Sequence, residues 1–288
     1  MRITLLVFTQ TGNTLRVAEV MADALEARNH DVVLLRTALF GPDETDLPDT
    51  DLLFVGSPAF YGRPPVVIRE YLDALPTLAG VPTVVFATSG GASGRTLWDL
   101  RRGLERRGAR VRGGAVFPGE VSYPAHSLSG RLKGLPGSEE LRRAAAFAAA
   151  LADSGSAGTA TLGSTTRGLW SFYGLVGLAL RPRLLRRVLR VPEVDPAVCN
   201  RCRWCVGACP VHAIALEPTE ERRLRPANGG RGLPAPVIDP EVCIRCYRCL
   251  SCPINAYSLD WRAGVEPLIG VLYHRSLVAR FGDPEARG

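Results

Sequence analysis

The chain carries eight cysteines, and all of them fall in two short runs: Cys199-Asn-Arg-Cys202-Arg-Trp-Cys205-Val-Gly-Ala-Cys209-Pro210 and Cys243-Ile-Arg-Cys246-Tyr-Arg-Cys249-Leu-Ser-Cys252-Pro253. No other feature restricts the fold as strongly. Three cysteines spaced two residues apart in a tight loop turn their thiolates toward one centre. A fourth, before proline, lies one turn further on and is aimed elsewhere. Disulfides would need an oxidising compartment. Zinc would usually show two C-x2-C pairs set far apart, without a third cysteine in step. Iron suits an all-thiolate set of soft ligands, and the spacing favours it over both.

The first run, C-x2-C-x2-C-x3-C-P, resembles the signature of bacterial two-cluster ferredoxins, whose fourth cysteine serves the other cluster. The resemblance implies two [4Fe-4S] clusters. One would be held by Cys199, Cys202, Cys205 and Cys252, the other by Cys243, Cys246, Cys249 and Cys209. The second run departs from the pattern, because only Leu250 and Ser251 separate Cys249 from Cys252. One missing residue displaces a sulfur by roughly 3 Å. Either a bend at Pro253 compensates, or the first cluster is labile or reduced to three irons. Ala213 to Leu216 and Ala256 to Leu259 resemble the short strands that flank each cluster in such ferredoxins. A small α+β ferredoxin-like domain with an internal pseudo-twofold is expected over residues 193–262.

Residues 1–153 follow a different rule. Short apolar runs (Ile3 to Phe8, Asp31 to Arg36, Asp51 to Gly56, Thr83 to Thr88, Arg110 to Phe117) alternate with helical patterns (Thr14 to Arg28, Pro64 to Leu75, Arg95 to Arg107, Ser138 to Asp153). Alternation of this kind predicts an α/β fold, a parallel sheet covered on both faces. Five strands in this length point to a doubly wound sheet, whose ligand sits at the carboxyl ends of the strands. The apolar start of the chain is too short for an export signal and shows no small-residue cleavage site, so it reads as the first strand.

Three loops fall at those carboxyl ends. Thr9, Gln10, Thr11, Gly12, Asn13 and Thr14 offer hydroxyls and successive amides at a helix N-terminus, which suits an anion. The same segment, T-x-T-G-N-T, resembles the phosphate loop with which flavodoxins bind FMN. Ser57, Pro58, Ala59, Phe60, Tyr61 and Gly62 resemble the flavodoxin segment lining the isoalloxazine ring, with Tyr61 as the stacking candidate and Phe60 divided between ring and core. Ser89, Gly90 and Gly91 lie in a glycine loop where backbone amides can approach the ring edge. That third loop holds no aromatic, so one ring face is expected to be open to a substrate or to the cysteine domain.

Residues 154–192 divide into a Ser/Gly/Thr-rich linker and an amphipathic helix over 169–190. The helix is too short to cross a bilayer. Packing on a domain is favoured over lying on a membrane surface. Residues 217–236 form a polar excursion, and Pro267 to Phe281 read as a terminal helix within 263–288. Residues 151–288 carry 18 arginines against 12 acidic residues, leaving the first 150 close to neutral. Bound clusters and a flavin phosphate, each about −2, would offset that excess, so nucleic-acid binding is not expected. The four histidines (His30, His126, His212, His274) form no motif, and no catalytic side chain is assigned.

Taken together, the chain resembles flavodoxin-ferredoxin fusion proteins. The resemblance implies an electron carrier that passes electrons between two clusters and FMN and exchanges them with redox partner proteins, and the lack of an export signal with eight cysteines fit for clusters points to the reducing cytoplasm. Two alternatives stand beside it. A cluster-fed flavin reductase could act on a quinone or other small acceptor at the open ring face, and a zinc adaptor would be colourless and redox-silent. Direct oxidation of NAD(P)H is not expected, since the chain has no second glycine-rich dinucleotide fingerprint.

Overall fold

In a computed structural model, residues 1–37, 47–91, 93–122, 132–153, 174–175, 178, 189–217 and 235–260 are described. The N-terminal part holds strands β1 (Arg2–Val7), β2 (Asp31–Arg36), β3 (Leu52–Pro58), β4 (Pro82–Ser89) and β5 (Arg110–Pro118). Helices α1 (Asn13–Glu26), α2 (Val66–Ala74), α3 (Thr96–Arg106) and α4 (Ser138–Asp153) complete it. All strand pairs are parallel, in the order β2-β1-β3-β4-β5. Each expected element is present, with ends displaced by no more than two residues.

Side-chain alternation explains the two layers. Leu5, Val7, Phe54, Val84 and Phe86 face α1 and α4, where Val17, Met21, Leu25, Ala144 and Ala148 meet them. Leu6, Leu53, Val55, Val85 and Ala87 point the opposite way, against Ile68 and Leu72 of α2 and Leu97, Leu100 and Leu104 of α3. Strands buried on both faces read as continuous apolar runs because every position has a layer to meet. The order reverses between β1 and β3, which opens a crevice at their carboxyl ends.

The second part is small and held by two antiparallel ribbons. β6 (Glu193–Val194) pairs with β9 (Tyr257–Ser258), and β7 (Ile214–Glu217) pairs with β8 (Ala235–Ile238). Each ribbon therefore joins the segment before one cysteine run to the segment after the other. Between them lie helix α5 (Trp204–Ala208) and a 3-10 turn, Arg248–Ser251. The polar excursion at 217–236 begins and ends inside β7 and β8, which narrows it to the connection of a two-stranded ribbon. Its centre, the linker, most of the amphipathic helix and the terminal helix lie outside the described residues.

Gly56 marks the tightest point of the sheet. It pairs with Phe86 on β4, and a Cβ built there would stand 2.2 Å from Cζ of that ring. Gly56→Ala is expected to destabilise the N-terminal fold by about 1–3 kcal/mol, as overpacking does, read as a lower urea midpoint at unchanged slope.

Candidate functional site

The crevice at the strand ends spans about 850 Å³, part of it open to solvent. The first loop enters it from the start of α1, a helix with no acidic residue in its first turn and no side-chain cap. Its N-terminal amides are left for an anion. Gly12 has φ 95°, a left-handed conformation that glycine adopts without strain. Its N–H donates to Thr9 Oγ1 at 3.1 Å, which folds the loop back on itself. The Thr14 and Thr88 hydroxyls, 2.7 Å apart and buried, tie the first loop to the end of β4.

Gln10, Thr11, Asn13 and Thr14 line the cavity, as do Pro58, Ala59, Phe60, Tyr61 and Gly62 from the second loop and Ser89 and Gly90 from the third. Four of the expected residues stand behind the lining. Thr9 and Gly12 shape the loop, Ser57 is fully buried with its hydroxyl donating to Pro58 O at 2.9 Å, and Gly91 turns the third loop at φ 105°. Phe60 belongs to the cavity side, its backbone paired with Arg63.

Two further walls complete the crevice, one that the sequence reading missed and one that it raised only as an alternative. The loop after β5 supplies Gly119, Glu120, Val121 and Ser122, and Asn13 Nδ2 donates to Glu120 O at 3.0 Å. Its signal was positional only, since it ends a strand on the same side of the sheet as the other three. The remaining wall comes from the cysteine domain: Arg245, Cys246 and Tyr247. Gln10 Nε2 donates to Cys246 O at 2.7 Å, Ser122 Oγ donates to the same oxygen at 3.3 Å, and Tyr61 Oη donates to Arg245 O at 3.2 Å. Tyr247 puts an aromatic residue from the other domain in the crevice wall, where the third loop has none.

A second cavity, spanning about 350 Å³ with its opening to solvent, is walled by Cys209, Cys243, Cys246 and Cys249 with mostly apolar neighbours such as Pro192, Ile214, Ile238 and Ile244. These are the four thiols expected to share one cluster. Cys246 and Cys249 both feel Cys209 and Cys243 electrostatically. Ala213 N donates to Cys209 Sγ at 3.2 Å, an amide-to-sulfur bond of the kind that tunes such centres. In the other set, Cys205 and Cys252 are buried together in one apolar cluster with Cys199 packed against it, while Cys202 is exposed.

The two runs fold alike. The residues on either side of each second cysteine, Arg201 and Arg203, then Arg245 and Tyr247, all have positive φ between 57° and 64°. Such conformations cost non-glycine residues roughly 1–3 kcal/mol each and persist where surroundings impose them. They curl each loop around its thiols. Cys199 N bonds Asp195 O and Cys243 N bonds Asp239 O, both at 3.0 Å.

The missing residue is absorbed by helix pitch. From Cys205 to Cys209 the chain takes four steps of an α-helix, about 6 Å of rise. From Cys249 to Cys252 it takes three steps of a 3-10 turn, also about 6 Å, closed by Cys252 N to Cys249 O at 3.1 Å. Cys209 and Cys252 end up equally buried, at 8% and 7% exposure. Matching left-handed turns follow them at His212 and Asn255. No bend at Pro253 is needed.

The donor sets fit iron–sulfur clusters and the four-loop crevice fits FMN. Among the described residues no three His, Cys, Asp or Glu side chains converge on a single ion. Each thiolate of a four-iron cube holds a different iron, so its sulfurs stand further apart than those around one tetrahedral metal.

The fold and the two cavities define an electron-transfer protein. A family model described as a flavodoxin domain matches residues 4–133, and one described as a 4Fe-4S dicluster domain matches residues 198–263. The two matches follow one another in the order that the three loops and the cysteine spacing lead one to expect, a flavodoxin domain and then a 4Fe-4S dicluster domain. Similar solved structures include a flavodoxin from the domain Archaea (17% identity, 53% of this chain and 97% of that one, TM-score 0.41). Flavodoxin 2 from Bacillus cereus is another (22%, 53% and 99%, TM-score 0.41). A third is rubredoxin oxygen:oxidoreductase from Desulfovibrio gigas (16%, 56% and 37%, TM-score 0.43). No curated protein sequence matches the chain. Among the described residues no helix is long and apolar enough to cross a membrane.

Burial pushes the free Cys205, Cys246 and Cys249 thiols upward, Cys246 to about 12, with neighbouring thiols adding to the shift. These groups are neutral in the folded metal-free chain, so the stability they contribute is fully present below the unfolded-state value and lost as pH rises through the folded one. Iron-free protein is expected to lose stability between pH 9.0 and about 12, measured by urea unfolding. Iron-loaded protein, whose thiolates are already deprotonated, is expected to hold its midpoint over the same range.

Proposed function

We propose that the protein is an electron carrier that passes electrons between two [4Fe-4S] clusters and FMN, and to or from redox partner proteins. The observation that supports this reading is a shared wall: Cys246 and Tyr247 line both the crevice and the thiol cavity. When bound, clusters supply single electrons and FMN takes two, so two transfers through one wall match one flavin.

Each residue has a part in that arrangement. The Thr9–Thr14 loop would hold the phosphate at the start of α1, and Tyr61 and Tyr247 would line the place of the ring. Cys209, Cys243, Cys246 and Cys249 hold the cluster beside the crevice, while Cys199, Cys202, Cys205 and Cys252 hold the outer one. The exposed Cys202 edge is where a partner protein docks. Gln10 and Ser122 keep the Cys246 backbone against the crevice. Flow can run either way. The reductase alternative is disfavoured by the same wall, since the side it needs for a small acceptor is lined by the cysteine domain. The reducing cytoplasm suits eight unpaired thiols.

The test is an anaerobic potentiometric titration that follows flavin absorbance and cluster EPR, with iron, sulfide and FMN counted on one sample. Two four-iron signals and one FMN are expected; a redox-silent second domain, or protein without FMN, would sink the reading. In rapid mixing, Gln10→Ala is expected to slow flavin reduction through the clusters by about tenfold or more relative to direct chemical reduction of the flavin, because loosening a fixed contact by an ångström carries penalties of that order.

A further inference from the structure

The two halves of the cysteine domain are near copies, and among the positions buried in both they differ at one. Counting from the proline-linked cysteine, Ile214 stands five residues after Cys209, and Tyr257 stands five residues after Cys252. The copies place these residues alike. The preceding carbonyls, Ala213 O and Ala256 O, each accept a backbone N–H at 2.8 Å, from Asp239 and Asp195. Ile214 pairs with Ile238 in one ribbon and Tyr257 with Val194 in the other.

Ile214 lines the cavity of Cys209, Cys243, Cys246 and Cys249. Tyr257 takes the corresponding place in the other set, 7% exposed and packed in one apolar cluster with Cys205 and Cys252. Its hydroxyl is buried and closes no hydrogen bond of good geometry to any protein group. The Cys205 thiol of the same cluster lies within electrostatic reach of it, as do Cys249 and Cys199. A buried hydroxyl left without an acceptor costs about 1–3 kcal/mol, so its place needs a reason. The thiol surroundings offer one: a cluster-bound thiolate is a strong acceptor, and a thiol is a weak one.

We propose that Tyr257 donates its hydroxyl to the Cys205 thiolate of the outer cluster and is the residue that sets the two clusters apart in potential. The hydrogen bond favours the more negative, reduced state of that cluster and raises its potential, since hydrogen bonds to the sulfurs are among the factors that set it. Ile214 offers no donor at the equivalent point. The proposal rests on the two-cluster reading above, and it deepens that reading by naming which of two similar centres holds an arriving electron more strongly. Tyr257 acts through Cys205 and touches no reacting atom, so it is a positioning residue.

The experiment is an EPR-monitored redox titration of full-length Tyr257→Phe, reconstituted with iron and sulfide and counted for both. The expected result is a downward shift of one cluster potential, with the other cluster and the flavin unmoved. Unchanged potentials in fully loaded variant, or equal shifts of both clusters, would overturn the proposal. If the Phe variant loads incompletely, Tyr257→Ile, which installs the residue of the equivalent position, is titrated under the same criteria. Wild-type protein without two clusters would instead defeat the underlying reading, and the iron count on the same samples separates the two failures.

Discussion

The carbonyl oxygen of Cys246 is the point on which the molecule is hung. It accepts from Gln10, in the loop that opens α1, and from Ser122, beyond β5, while the sulfur of the same residue faces the thiol cavity. Backbone and side chain of one residue thus serve two domains. The left-handed residues on either side, Arg245 and Tyr247, let the chain turn tightly enough for that double use. Both are anchored from behind: the Arg245 guanidinium donates to Leu189 O, Pro240 O and Cys243 O, and Tyr247 Oη donates to Arg190 O.

Much of this was legible in the sequence because two strong signals were present. Alternating apolar runs and helical periods fixed the five strands and four helices to within two residues, since each strand is buried on both faces and each helix on one. The resemblance to two-cluster ferredoxins, carried by the cysteine spacing, implied the grouping of the thiols that wall one cavity. The loop at Gly119 to Ser122 stayed hidden because its contribution is mainly backbone and position, with no distinctive side chain. The strands at Glu193–Val194 and Ala235–Ile238 were missed for a related reason: two to four residues are too few to show a period, and their pairing depends on partners far along the chain. The wall at Arg245 to Tyr247 could be framed only as a question, because no local pattern states which loop of one domain meets another.

The short gap before Cys252 shows how a motif can be broken in letters and kept in space. A count of residues predicts a displaced sulfur. The backbone answers by exchanging an α-helical turn for a 3-10 one, which climbs further per residue. The burial of Cys252 and the turn after it then coincide with those of Cys209.

The ribbon pattern has a consequence for how such a domain can change over time. Because β6 pairs with β9 and β7 with β8, neither cysteine run brings along the strand that completes its own ribbon. Each copy is clasped by the other, so the duplication cannot be undone by losing one copy, and the copies cannot drift apart in length except where a turn can change its pitch. The pair is inherited as a single unit, free to diverge only in side chains such as those at 214 and 257.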